Sequence, residues 1–257
     1  AVIQPSSIVS EREYRQEVDI EVNLGSIQTM NPYRDIELVV MQNLRRDNIV
    51  SGVKPNFIKN KQLTYNYQGE LDFDGGNEYR FFDGKSLRYR SEEVEEIRLE
   101  DDGYHIYLAP DWAKAFKQYT FENDINGKFL VKNDDMIDPH LESDYVTVHF
   151  SFPVDAMLGN GEMYVTGQLS NWELKKTHRM TYNPDNQNYE LALQLKQGYY
   201  NYSYLWKYTK KDQGSSDLTD GNHSETENDY LILIYFKDQS YFSDRLIGVE
   251  RANSFVR

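Results

Sequence analysis

The hydrophobic positions along this chain recur mostly at a period of two, the spacing of a strand with one buried face. Val18, Ile20, Val22 and Leu24 alternate with acids, which predicts a strand whose other face is wet. Gly161 to Trp206 holds the clearest pattern. MYVTG is rich in β-formers and closes on Ser170-Asn171-Trp172; Tyr189, Leu191, Leu193 and Leu195 alternate with Glu190, Ala192 and Gln194. After Gly198, Tyr200, Tyr202, Tyr204 and Trp206 alternate again, and Asn183 to Asn188 (NPDNQN) between the runs is turn chemistry. The stretch predicts antiparallel strands of a small β-sandwich.

Further strands are predicted over NPYRDIELVVMQN, which opens on a turn, and over LTYNYQ, SLRYR, EEIRLE and GYHIYLAP. Val146, Val148, Phe150 and Phe152 share one face of YVTVHFSF, and YLILIYF (Tyr230 to Phe236) reads as a central strand. Tyr119 to Val131 is predicted as a hairpin around Asn126-Gly127. PDWAKAFKQ, with Pro110 and Asp111 at its start, predicts a helical turn. The acidic stretch Asn133 to Asp144 predicts a linker, and the polar run after Trp206 a mobile loop. The expected fold class is therefore all-β, with one sandwich domain over 1–139 and an immunoglobulin-like sandwich over 140–257.

Composition narrows the function classes. The 257 residues suffice for two ordinary domains with real cores. Twenty-one tyrosines and 12 phenylalanines favour strands, where flat rings cross a pleated surface. A net charge of −14, from 42 acidic and 28 basic residues, repels phosphate backbones and argues against nucleic-acid partners. The absence of cysteine removes disulfides, thiolate metal sites and thiol nucleophiles, and suits a cytosolic or a periplasmic protein equally. No apolar run approaches the about 18 residues of a membrane helix, so the chain is expected not to span a membrane. The opening AVIQPSSIVSE lacks the basic and apolar regions of a signal peptide.

Patterns that carry chemistry are few. His105, His140, His149, His178 and His223 stand singly, with no HxH or HExxH, so no metal is expected. His149 falls opposite Val148, as an exposed or hydrogen-bonded strand histidine would. Glu122, Asp124 and Asn126 fit half a calcium loop, but Asn133 stands where the closing carboxylate belongs. Paired acids such as Glu92-Glu93 read as solvated faces. No catalytic residue and no cofactor is assigned, and the expectation is a protein that is not an enzyme. Aromatic residues are the candidates for binding. Trp172, at a strand end, reads equally as core or as an exposed platform, whereas Trp206 reads as core. Tyr79, Phe81 and Phe82, after the Gly75-Gly76 pair, read as interface anchors or as core of the following strand.

Two resemblances add expectations. YVTGQLSNW, Gly198 and YNYSY, within Glu162 to Trp206, resemble starch- and glycogen-binding carbohydrate modules. That resemblance implies an immunoglobulin-like fold and a glucose stacked on Trp172. A lysine expected between the tyrosines is Ser203 here, and no DGxW follows. Eight blocks in order, RQEVDI, NPYRDIELVVMQN, GGNEYRFFDGKSLRY, DINGKF, LESDYVTVHF, LKQGYYNYSY, TENDYLILIYF and DRLIGV, resemble the DUF5103 family of Bacteroidota. Its members are similar to the plug protein of the type IX secretion system. The resemblance implies a periplasmic, outer-membrane-associated protein that docks at the translocon β-barrel, with a further β domain ahead of Ala1. The alternative expectation is a glycan-binding accessory protein, and a buried Trp172 would remove its one anchor.

Overall fold

The computed structural model describes residues 1–139, 141–238 and 243–255; His140 lies outside the described residues. The chain is all-β and forms two compact units, one discontinuous: residues 1–77 with 222–257, and residues 78–221. The first unit opens with β1 (Val2–Pro5), β2 (Arg15–Asn23), a single helical turn α1 (Pro32–Asp35), β3 (Ile36–Gln42) and β4 (Ile49–Ser51). It continues with β5 (Phe57–Lys59), β6 (Gln62–Tyr65) and β7 (Asp72–Asp74). The second unit holds β8 (Arg80–Asp83), β9 (Val94–Glu100), β10 (Gly103–Leu108), β11 (Phe129–Val131) and β12 (Tyr145–Pro153). It is completed by β13 (Gly161–Thr166), β14 (Thr181–Asn183), β15 (Asn188–Lys196) and β16 (Gly198–Tyr208). The chain then returns to the first unit with β17 (Asp229–Asp238) and β18 (Ser243–Asn253). Among the described residues no helix is long and apolar enough to cross a membrane.

The expected division at 139/140 is thus corrected. β17 is the strand that decides it, because it pairs along its length with β3 on one side and β18 on the other. The sheet β18-β17-β3-β4 faces β1-β2-β6-β5, with β7 beside β2. Between them Val18, Ile20, Leu38, Val40, Leu63, Tyr65, Phe73, Tyr230 and Ile232 form one core. Asn133 to Asp144 is likewise no linker between domains. Asn133 is buried and donates from Nδ2 to Glu142 O and Gln197 Oε1, while Asp135 accepts from Ser86 Oγ and Leu87 N.

The return into the first unit is held by uncharged polar groups. Gln16 Nε2 donates to Ser224 O and Thr226 O at 2.8 and 2.7 Å. Its Oε1 accepts from Asn228 Nδ2 and from the Tyr230 hydroxyl, and Asn43 closes the set onto Asn228 Oδ1 at 2.7 Å. The amide groups of Gln16, Asn43 and Asn228 thereby all keep partners with no ion in the set. Gly75 has to be glycine, since a Cβ there would stand 2.0 Å from His223 O. From Ser215 onward the run after Trp206 is packed into the fold: Ser215 bridges Trp206, and Thr219, Asp220, Thr226 and Asn228 are all buried.

The second unit is also a two-layer sandwich. One sheet runs β14-β15-β12-β10-β9, the other β11-β16-β13 with β8 on β16. Val146, Val148, Phe150 and Phe152 face Tyr200, Tyr202, Tyr204 and Trp206 in one core, as the period-two pattern predicts. β12 joins β10 in parallel, a pairing that needs the long crossover supplied by residues 109–144. SLRYR is bent because Ser86 Oγ accepts from Arg88 N and Tyr89 N. The Asn126-Gly127 turn exists, but β11 pairs with β16 and not with residues 119–125, whose Ile125 N donates to Asn201 Oδ1.

The excised residues 78–221 should unfold in urea as one cooperative transition followed by far-UV circular dichroism. A fragment ending at residue 139 should show no such transition, because it lacks β12, β13, β15, β16 and β17.

Candidate functional site

Of the five aromatic residues singled out in the sequence, four are core. Trp172 is 8% exposed, Trp206 1%, Tyr79 8% and Phe82 1%. Trp206 sits in β16 edge-on to Tyr189, with ring centroids 6.0 Å apart. Phe82 lies parallel to Tyr200 at 5.1 Å and edge-on to Phe150. Tyr79 covers Gly127, where a Cβ would come within 2.7 Å of its ring. Asn171 and Trp172 take left-handed backbone conformations after the turn Gln168–Ser170, and the Trp172 N–H donates to Gly167 O. The tight turn carries the indole inward, so Trp172 offers no open ring face. Phe81 alone is half-buried, stacked on Tyr199 at 5.5 Å.

Exposed rings lie elsewhere in both units, and two of them stand four residues apart on the segment joining β10 to β11. Trp112 is 60% exposed and Phe116 89%. Sequence reading makes this segment helical, with Trp112 and Phe116 four residues apart. Its hydrogen bonds go to the sandwich instead: Lys114 N and Ala115 N both donate to Thr219 O. Asp111, the expected helix cap, is consumed by the core. The informative signal in PDWAKAF was a tryptophan and a phenylalanine in a stretch with no strand alternation.

Asp111 belongs to a buried charge cluster around Arg80. The guanidinium donates from Nε to Asp220 Oδ1 (2.8 Å), from Nη1 to Asp111 Oδ1 (2.8 Å) and from Nη2 to Trp112 O (2.7 Å). Tyr202 and Tyr204 hydroxyls both donate to Asp111 Oδ2 at 2.7 Å, and Tyr204 N donates to Asp220 Oδ2. The cation also lies over the Tyr204 ring, 5.4 Å from its centroid. Burial works against the charge on Arg80, but Asp220 and Asp111 more than offset it and hold the guanidinium protonated. Every acceptor is used internally. The cluster is a clamp that fixes the loop carrying Trp112 and Phe116.

A second titratable cluster lies on the outer face of the other sheet. β9 and β10 form a hairpin, and their register with β12 places His105, Tyr107 and His149 on one face. His105 Nδ1 and His149 Nε2 are 2.8 Å apart, and His105 Nε2 is 2.8 Å from Asp102 Oδ1. Glu100 Oε2 lies 3.9 Å from the same nitrogen, and Glu100 Oε1 accepts from the Tyr107 hydroxyl at 2.8 Å. His149 stacks on Tyr107 with centroids 4.2 Å apart. Burial, then the neighbouring His105, lowers its pKa; hydrogen bonding to His105 lowers that of Asp102.

Replacing Arg80 by alanine should cost about 3–5 kcal/mol, the scale for stranding buried carboxylates, read as a fall in the urea midpoint of unfolding. Alkaline pH tests the tyrosine core. Burial pushes Tyr200 up to about 12, and burial followed by Asp111 raises Tyr202 and Tyr204 well above the ordinary value. The unfolded chain ionises first, near the ordinary tyrosine value of about 10. This stabilisation is therefore complete below about pH 10 and is lost as pH rises beyond it. Phenolate absorbance should accordingly show a fraction of tyrosines that ionise only on unfolding.

The architecture recurs in a solved protein. Over 98% of its length the chain superposes on a hypothetical protein from Parabacteroides merdae, with a TM-score of 0.90 and 33% sequence identity. The chain covers 63% of that protein, less than two thirds of its length. No family model matches the chain, and no curated protein matches it. The two proteins share one fold across both units.

Proposed function

We propose that the protein is a non-enzymatic, periplasmic partner-binding subunit of the type IX secretion outer-membrane complex, acting as a plug at the translocon barrel. The observation that carries this reading is the eight ordered sequence blocks, which run from β2 to β18 and so involve both units. Supporting it, the second unit holds exposed Trp112 and Phe116 on a loop clamped through Asp111 to Arg80. Aromatic side chains on a pinned loop suit recognition, because little conformational entropy is lost when they dock. The acidic surface suits a wet, reversible contact. A gate needs that reversibility, since cargo has to displace it.

The glycan reading loses the support of Trp172 and Trp206, whose rings are buried. It would have to rest on other rings, and it enters here as an outcome of the test.

The chain, immobilised and exposed to detergent-solubilised outer membranes of a Bacteroidota species, should retain the large translocon barrel. Joint replacement of Trp112 and Phe116 by alanine should lower recovery at least about tenfold, the scale of a lost interfacial anchor. Absence of the barrel from the eluate would overturn the plug reading, and retention on a glycan array in its place would favour the alternative.

A further inference from the structure

We propose that Glu100, Asp102 and His105 form a binding site for a divalent transition-metal ion such as zinc, with His149 as its outer-shell support. The three side chains come from one hairpin: Glu100 ends β9, Asp102 lies in the connecting turn, and His105 is the third residue of β10. One ligand atom from each lies within 4.8 Å of the others. Atoms sharing a zinc ion at ~2.0–2.2 Å stand roughly 3–3.6 Å apart. The 2.8 and 3.9 Å separations about His105 Nε2 bracket that range. The imidazole is fixed, its side chain 9% exposed, whereas Asp102 is 74% exposed and free to adjust.

The surroundings are those of a metal ligand. Metal-bound histidines hold their other ring nitrogen against a fixed partner, which orients the ring. His105 Nδ1 has such a partner in His149 Nε2, and His149 is itself held flat against Tyr107. Glu100 is braced by the Tyr107 hydroxyl through the oxygen that does not face His105. One imidazole nitrogen with two carboxylate oxygens and no sulfur suits zinc and its first-row neighbours, with water completing the shell.

The ion changes the proton arrangement in a defined way. Metal-free, His105 carries its proton on Nε2 and donates to Asp102, while Nδ1 accepts from the Nε2–H of His149. Metal-bound, His105 gives Nε2 to the ion and carries its proton on Nδ1, donating to His149 Nε2, and the His149 proton moves to Nδ1. The exchange only moves protons between ring nitrogens, so the pair carries the same number before and after. The site matches neither HxH nor HExxH, because its pattern Glu100-x-Asp102-x-x-His105 holds one histidine and spans a turn.

Calorimetric titration of the metal-free full chain with zinc chloride, in excess magnesium to occupy non-specific carboxylates, should give one site. Asp102→Asn, in the exposed turn, and His105→Ala should each abolish that site; His149→Ala should weaken it about 10–100-fold. Histidine nitrogen NMR should show His105 Nε2 changing from protonated to metal-bound while its Nδ1 becomes protonated. Circular dichroism in chelator checks that each variant folds, and Asp102→Asn carries the test if His105→Ala does not. Absence of binding, binding unaltered by Asp102→Asn, or an unchanged His105 tautomer at saturating zinc would each overturn the proposal.

Discussion

The Arg80 guanidinium is the fixed point of the second unit. A cation at that depth forfeits several kcal/mol of hydration, and only close anions and well-placed acceptors offset the loss. Asp111 and Asp220 arrive from segments 31 and 140 residues away. Once there, each carboxylate uses its remaining oxygen on the β16 strand, through two tyrosine hydroxyls or the Tyr204 amide. The arrangement dictates local structure around it. Residues 109–121 stay out of a helix because their cap residue and amide donors are engaged elsewhere, and the segment after β16 is tied back to that strand through Ser215, Thr219 and Asp220. Such a cluster discriminates between folds more than it adds stability, because any misregistered β8 or β16 would strand a charge.

The first unit meets a comparable demand without charge. Gln16, Asn43, Asn228 and Tyr230 join strands separated by some 200 residues of chain through neutral donors and acceptors alone. A neutral network forfeits less hydration and tolerates imperfect geometry better than an ion pair. The two units therefore solve the same problem, closing a sheet with a late-arriving segment, by different chemistry.

How much of this was legible follows from the range of each interaction. Strands with one buried face declared themselves, since alternation is local: β2, β3, β12, β15, β16 and β17 all lie where the pattern put them. The domain boundary was hidden because YLILIYF looks the same whether it pairs with a neighbour or with β3, about 190 positions earlier. The PDWAKAFKQ helix and the 119–131 hairpin failed for one reason, that tertiary partners (Thr219 O, Asn201 Oδ1) captured their backbone donors. Trp172 was undecidable from sequence, as only its left-handed turn sends the ring inward. His105 and His149 were found singly, and their pairing needed the parallel β10–β12 register.

The interrupted first unit has a consequence for how the protein is made. While the chain emerges from its N-terminus, β3 waits without its main partner until all of residues 78–221 have been synthesised and β17 follows. The second unit has its last strand, β16, complete at Tyr208, ahead of β17 at Asp229, so the natural order is the inserted unit first and the interrupted sandwich last. In that interval a half-built sandwich shows apolar Ile36, Leu38 and Val40 beside an unpaired strand edge, the surface that captures stray strands. Once folded, the inserted unit holds residues 77 and 222 close together, so β17 reaches β3 across a short effective loop instead of a long one.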